Sequence, residues 1–153
     1  MTLQDALQKA TSVLYYAEVE TPYLDACVLL AYTLDISKEK LFSSFTDEIS
    51  AAVYRRFERF IDQRCSGRPV SYIRRNKEFY GLDFFVDERV LVPRPDTETL
   101  IEAVSTVLCS HPAFKTLHDL MTGSGCIAVT LQHLFPDISV SASDISQQAA
   151  QVF

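Results

Sequence analysis

Residues Asp119 to Cys126 read DLMTGSGC. Gly123 and Gly125 let a backbone turn sharply and approach a ligand closely, with Thr122 and Ser124 in the same loop. Asp119 precedes the loop, and Asp144 closes the next apolar stretch. A carboxylate at the end of that second strand can accept hydrogen bonds from both hydroxyls of a ribose. No Lys follows the loop, which argues against a phosphate loop of the NTPase kind. The full Gly-x-Gly-x-x-Gly of dinucleotide folds is also missing, although Ala128 is small enough to leave NAD open on spacing alone. Asp119 adds a preference of its own, because a negative group at the loop mouth suits an amino group better than a pyrophosphate. S-adenosylmethionine carries that charge pattern: a sulfonium, an amino-acid tail and a ribose.

The elements that must position this loop are a strand over residues 115–121 and a helix over 126–135, whose apolar content is Ile127, Val129, Leu131 and Leu134. A second strand follows, with Ile138, Val140 and Ala142 alternating up to Asp144. Ser146 is placed to cap a third helix. Upstream, Pro93-Arg94-Pro95-Asp96-Thr97-Glu98 fixes an extended backbone, since Pro95 disfavours a helical Arg94. Asp96 or Thr97 then caps a helix whose apolar side is Leu100, Ile101, Val104, Val107 and Leu108. Glu98 and Glu102 fall near its positive end. That segment is either a rigid connector or one wall of a ligand pocket, formed by Arg94, Pro95, Thr97 and Glu98. Before it, Glu78-Phe79-Tyr80 and Asp83-Phe84-Phe85-Val86 read as two short strands around a turn at Gly81-Leu82, and Val90 to Val92 as a further extended piece.

The front of the chain is helical. Thr2 and Asp5 form a capping box, and Leu3, Ala6, Leu7, Ala10 and Leu14 recur at helical spacing. Thr21-Pro22 opens a second helix with Leu24, Val28 and Ala31 on its inner face. Cys27 joins that face, and Leu29 and Leu30 widen it. Ser37 starts a short helix ending near Phe42. Thr46 caps a longer one with Ile49, Ala52, Val53, Phe57, Phe60 and Ile61 inward, stopped by Gly67, with Pro69 opposing its resumption. No residue of this bundle proposes chemistry, so on its own terms it is a docking or scaffolding module.

The 153 residues carry a net charge of −6, against a chain that binds nucleic acid through its overall charge. The charge is uneven, however. Arg55, Arg56, Arg59, Arg64, Arg68, Arg74, Arg75 and Lys77 are opposed over the same stretch only by Glu58 and Asp62. That band is either a surface for RNA or an acidic protein, or a solvated helix flank. Cys27, Cys65, Cys109 and Cys126 form no Cys-x-x-Cys pair, so they read as reduced thiols buried in apolar patterns, and no metal site is expected. There is no signal-peptide pattern and no stretch approaching eighteen apolar residues, which points to a cytoplasmic protein off the membrane.

On these residues the chain resembles the release factor glutamine methyltransferase family (PrmC, also called HemK). The resemblance rests on Gly67-Arg68-Pro69-Val70-Ser71-Tyr72-Ile73, Glu78-Phe79-Tyr80-Gly81-Leu82, and Val90 to Glu98. It continues through DLMTGSGCIAVTL from Asp119 to Leu131, and Ala142-Ser143-Asp144-Ile145-Ser146. It implies an α+β chain: a helical substrate-recognition domain over 1–68, a hairpin linker over 69–92, and over 93–153 the first β-α-β part of a Rossmann-like methyltransferase domain. It implies methyl transfer from S-adenosylmethionine to the glutamine nitrogen of a Gly-Gly-Gln motif in peptide-chain release factors, a protein methylation acting on translation termination. Thr122, Gly123, Ser124 and Gly125 become the methionine side of the cofactor surface and Asp144 the ribose carboxylate. Asp119 becomes a loop-shaping or amino-group contact, and Arg94 to Glu98 lie beside the pocket.

Two departures from the family stand out. Met121 replaces the family's usual Gly, and Met has no easy access to positive φ. The family's catalytic Asn-Pro-Pro-Tyr is absent from these 153 residues. The expectation is therefore a portion of a longer enzyme, without a catalytic residue of its own and inactive alone. Two alternatives stay beside it: a non-enzymatic module that docks on a release factor or ribosome, and an adenine-N6 nucleic-acid methyltransferase recruiting RNA through Arg55 to Lys77.

Overall fold

A computed structural model describes residues 1–152. The chain mixes helices with two small sheets and divides into two compact units, one of residues Met1–Arg74 and one from Arg75 on.

The first unit is all helical: α1 (Leu3–Tyr16), α2 (Pro22–Leu34), α3 (Lys38–Phe42), α4 (Ala51–Cys65) and α5 (Val70–Arg74). The Thr2 hydroxyl accepts from the Asp5 amide at 3.1 Å while the Asp5 carboxylate accepts from the Thr2 amide at 3.0 Å, so the capping box is present. Leu3, Ala6, Leu7, Ala10 and Leu14 are all buried. α2 is the centre of the bundle, packed by α1, α3, α4 and α5. It therefore buries Ala26, Cys27, Leu29, Leu30 and Ala31 on several sides, and its least covered side falls on Tyr23 and Leu24. Leu24, expected inside, is 52 % exposed.

The cap of α4 also differs from the expectation. Ser50, not Thr46, accepts from the Val53 amide. Residues 45–49 are held instead by the start of α1: the amides of Leu3 and Gln4 donate to the carbonyls of Asp47 and Phe45, and the Ile49 amide donates to the Met1 carbonyl. Tertiary pairing thus occupies the turn that local sequence offered to the helix. Ala52 faces solvent, while Phe57 and Ile61 enter the core. Asp25, 8 % exposed, is held by the Arg64 guanidinium at 2.7 Å and by the Thr21 hydroxyl at 3.0 Å. Helix resumes directly after Pro69, because proline fits a first helical turn, where no N–H is needed, and its carbonyl accepts from Tyr72 and Ile73.

The second unit starts with a hairpin, β1 (Lys77–Phe79) and β2 (Leu82–Phe84), paired antiparallel with Phe79 opposite Leu82. Its two-residue turn, Tyr80-Gly81, has φ of 51° and 77°. Positive φ at both central residues is what the tight primed hairpin turn requires. Val90 to Val92 form no strand; Asp87 clamps Arg89 in a bidentate pair there and the Val90 amide turns back to the Asp87 carbonyl. A single 3₁₀ turn, Pro95–Thr97, leads into α6 (Glu98–Ser110). Arg94 is extended as expected, at φ −97° and ψ 145°. Neither Asp96 nor Thr97 caps the helix with its side chain, because the 3₁₀ turn already runs helical through both. β3 (Thr116–Leu120), α7 (Cys126–Leu134) and β4 (Ser139–Ser143) complete a parallel β-α-β unit, with Asp119 paired to Ala142. Phe79, Phe84, Ile101, Cys126 and Leu131 form its core, joining hairpin, α6 and α7. Leu100 and Val107, expected on the apolar side of α6, and Val129 and Leu134 of α7 are each at least 40 % exposed. Of the cysteines, Cys27 and Cys126 are buried as expected, but Cys109 is exposed on α6 and Cys65 half-buried.

Candidate cofactor site

The glycine loop lies at the carboxyl ends of β3 and β4, where open α/β sheets present ligand crevices. The amides of Met121 and Thr122 donate to the Ser143 carbonyl at 2.8 and 3.1 Å, carrying the strand pairing into the loop. Three residues there adopt positive φ: Met121 at 64°, Gly123 at 58° and Gly125 at 77°. Gly125 forms the N-terminal boundary of α7, so the loop delivers the chain directly into a helix start.

Two side-chain contacts fix the loop. The Thr122 hydroxyl donates to Oδ2 of Asp119 at 2.5 Å. The Gly123 amide donates to Oδ2 of Asp144 at 2.9 Å, and the Ser146 amide donates to Oδ1 at 2.8 Å. These amides, Ser146 first and Gly123 second, hold the Asp144 carboxyl below its ordinary value of 3.8. Asp144 is therefore ionised at neutral pH, and each of its oxygens keeps a lone pair for a further donor. Thr122 and Ser124 are buried, whereas a Cβ added at Gly123 would meet nothing within 4 Å, so space above that glycine is open. Behind the loop, burial raises the Cys126 thiol above its ordinary value, which keeps it a neutral packing group.

Asp119, Thr122, Gly123, Ser124, Gly125 and Asp144 thus form one cluster. The proline segment is fastened elsewhere. Glu98 accepts from the Tyr80 amide at 3.0 Å, tying the first turn of α6 to the hairpin. Arg94 and Pro95 are exposed, Thr97 is half-buried, and among the described residues none of the three shares a hydrogen bond with the loop. Sequence reasoning did not find this anchoring role of Glu98, whose only signal was a carboxylate near a helix start. It also did not find His118, whose ring nitrogens sit 2.8 Å from the hydroxyls of Ser141 and Ser143 on the exposed face of β3 and β4. That contact requires the strand register, which residue types alone do not supply. Among the described residues, no group of three His, Cys, Asp or Glu side chains can hold a metal ion, and no helix is long and apolar enough to cross a membrane.

Fold and cluster define an α+β chain in which a helical module precedes a hairpin and a glycine-turn β-α-β unit. Residues 5–74 match the family model of the PrmC N-terminal domain. A release factor glutamine methyltransferase of Koribacter versatilis is 42 % identical over 152 residues, covering 99 % of this chain and 54 % of that protein. One from Moorella thermoacetica is 40 % identical, covering 99 % and 53 %, and one from Leptospira interrogans 36 % identical, covering 95 % and 51 %. The chain is thus similar over nearly its whole length to release factor glutamine methyltransferases, and it spans about half the length of the curated relatives it matches.

Proposed function

We propose that this chain supplies the partner-recognising unit and part of the cofactor surface of an S-adenosylmethionine-dependent enzyme. Its reaction is N5-methylation of the glutamine in the Gly-Gly-Gln motif of peptide-chain release factors, in the cytoplasm. The observation that carries the proposal is the joined pair Asp119–Thr122 and Gly123–Asp144 around an open glycine. The relatives' names support the choice of a protein substrate.

The residues present fit the cofactor. Ionised Asp144 would accept from the ribose hydroxyls, Asp119 would accept from the amino group, and open space at Gly123 would admit the methionine tail. Arg94, Pro95, Thr97 and Glu98 form the flanking wall in this reading, and the two β-α-β strands begin a Rossmann-like sheet. S-adenosylmethionine, when bound, supplies a methyl group activated by its sulfonium. The chain's own residues hold and orient it; positioning of this kind accounts for a large share of catalysis when the nucleophile is weak. A glutamine amide nitrogen is such a nucleophile, because its lone pair is delocalised into the carbonyl. Acceptors must orient its NH₂ group in line with the methyl–sulfur bond. We assign no catalytic residue among these 153 residues.

The test is docking of a release factor to the 153-residue chain, read by surface-coupled binding. The proposal expects saturable binding that weakens when the Gly-Gly-Gln loop is deleted. Absence of binding, or binding indifferent to that loop, contradicts it.

A further inference from the structure

The helical unit carries a half-buried arginine–aromatic cluster between α2 and α4. Tyr32 on α2 and Phe60 on α4 have ring centroids 5.5 Å apart. The Arg56 guanidinium lies 5.5 Å from the Phe60 centroid and 5.9 Å from that of Tyr32, and the Arg74 guanidinium lies 5.9 Å from that of Tyr32. Both are within reach of a cation–π attraction, which orients a guanidinium while leaving edge N–H groups for another partner. Arg56 makes no ion pair among the described residues. Arg74 has its Nε buried without an acceptor, a cost that an apolar side chain of similar size would avoid.

Nearby acids leave Arg56 unneutralised. Glu58 and Asp62 lie on another flank of α4, lining the groove toward α1 with Lys9, Arg55 and Arg59. Asp35, Glu39 and Lys38 line the same cavity as Tyr32 and Arg74, so the acids nearest the cluster lie at its Arg74 end and away from Arg56 and Phe60.

We propose that Arg56 and Arg74, oriented by Tyr32 and Phe60, form a docking face for a carboxylate-rich segment of a protein partner. Planar guanidinium edges match carboxylates in bidentate fashion. Nucleic acid fits less well. Sequence-tolerant binding of single strands relies on ring faces free to stack bases, and guanidiniums already lie over Tyr32 and Phe60. This inference does not depend on the cofactor reading, and its test involves no cofactor.

The experiment is fluorescence anisotropy of the 153-residue chain with a labelled glutamate-rich peptide, beside a labelled polyuridine strand of equal length. The expected result is saturable peptide binding, weakened about fivefold or more by Arg56→Gln and by Arg56→Lys, since the lysine keeps charge but loses the planar fork. Arg59→Gln, which removes an equal charge from outside the cluster, is expected to change binding by less than about twofold. Thermal unfolding of each variant identifies any loss due to folding, and the Arg56 variants keep the test decisive if Arg74→Ala fails to fold. No saturable peptide binding overturns the proposal. So does equal loss in Arg59→Gln and Arg56→Gln, or tighter binding of polyuridine than of peptide.

Discussion

The Gly123 amide and the Asp144 carboxylate, 21 residues apart in sequence, meet at 2.9 Å. This bond links the shape of the glycine loop to the ionisation of the carboxylate that ends β4. Because amides of Ser146 and Gly123 lower the folded-state value, the contribution of Asp144 is fully present above the unfolded carboxyl value. It is lost as pH falls through the lowered folded value. The Gly123 amide resonance should therefore titrate with a midpoint below 3.8, the ordinary value of the carboxyl. Proton–nitrogen correlation spectra across an acid titration check this; a midpoint at or above 3.8 contradicts the bond.

Met121 holds φ at 64° with 73 % of its surface exposed. A left-handed conformation costs a non-glycine residue roughly 1–2 kcal/mol, and glycine returns part of that gain as unfolded-state entropy. The exposed side chain gives up little burial. Met121→Gly should stabilise the β-α-β unit by about 0.5–1 kcal/mol, and urea unfolding measures it. A destabilised variant would mean that the Met121 side chain makes a contribution larger than its exposure suggests.

Glu98 accepts from the Tyr80 amide at the tip of a hairpin whose turn is also held by Glu78, through the Gly81 amide at 2.6 Å. Glu98→Ala leaves a half-buried N–H without its acceptor and should cost about 1–2 kcal/mol. Glu98→Gln keeps an acceptor oxygen and should recover much of that loss. Hydrogen exchange at the Tyr80 amide is the readout: it should accelerate strongly in the alanine variant and weakly in the glutamine variant. Equal rates in both would remove Glu98 as the anchor.

Arg64 and Asp25 form a half-buried pair between α4 and α2, with side chains 20 % and 12 % exposed. Arg64→Met fills similar space but strands the Asp25 carboxylate, leaving only the Thr21 hydroxyl. The expected cost is about 2 kcal/mol, smaller than for a fully buried pair because water reaches both groups. Asp25→Asn in the Arg64→Met background should restore part of it in denaturant unfolding. If the double variant is no better than the single, the stranded charge is not the cause.

Much of the fold was legible where local chemistry and burial agree. The Thr2–Asp5 box, Pro22 at the start of α2 and Ser37 before α3 are set by nearest neighbours, and the structure has each of them; the hairpin is present too, with its turn at Tyr80-Gly81, one residue before the Gly81-Leu82 expected. The alternation at Val140 and Ala142 marked β4 for the same reason. Misreadings arose where another part of the chain decides. The backbone around Thr46 pairs with the start of α1, and Leu24 lies outside because α2 is surrounded on its other sides. At the candidate site, the residue types around Gly123 and Gly125 were readable, and the positive φ at Met121 agrees with a position that suits glycine. The Asp119–Thr122 and Gly123–Asp144 bonds were not readable, since they depend on the parallel register of β3 with β4.

The central claim is that this loop and its two carboxylates form an S-adenosylmethionine surface. Calorimetric titration of the folded 153-residue chain with S-adenosylmethionine, beside Asp144→Ala, tests it most directly. The account predicts saturable one-to-one binding in the parent chain, weakened at least about tenfold in the variant, the scale of a lost charge-assisted hydrogen bond. No binding by the parent chain, or equal binding by both, would contradict it.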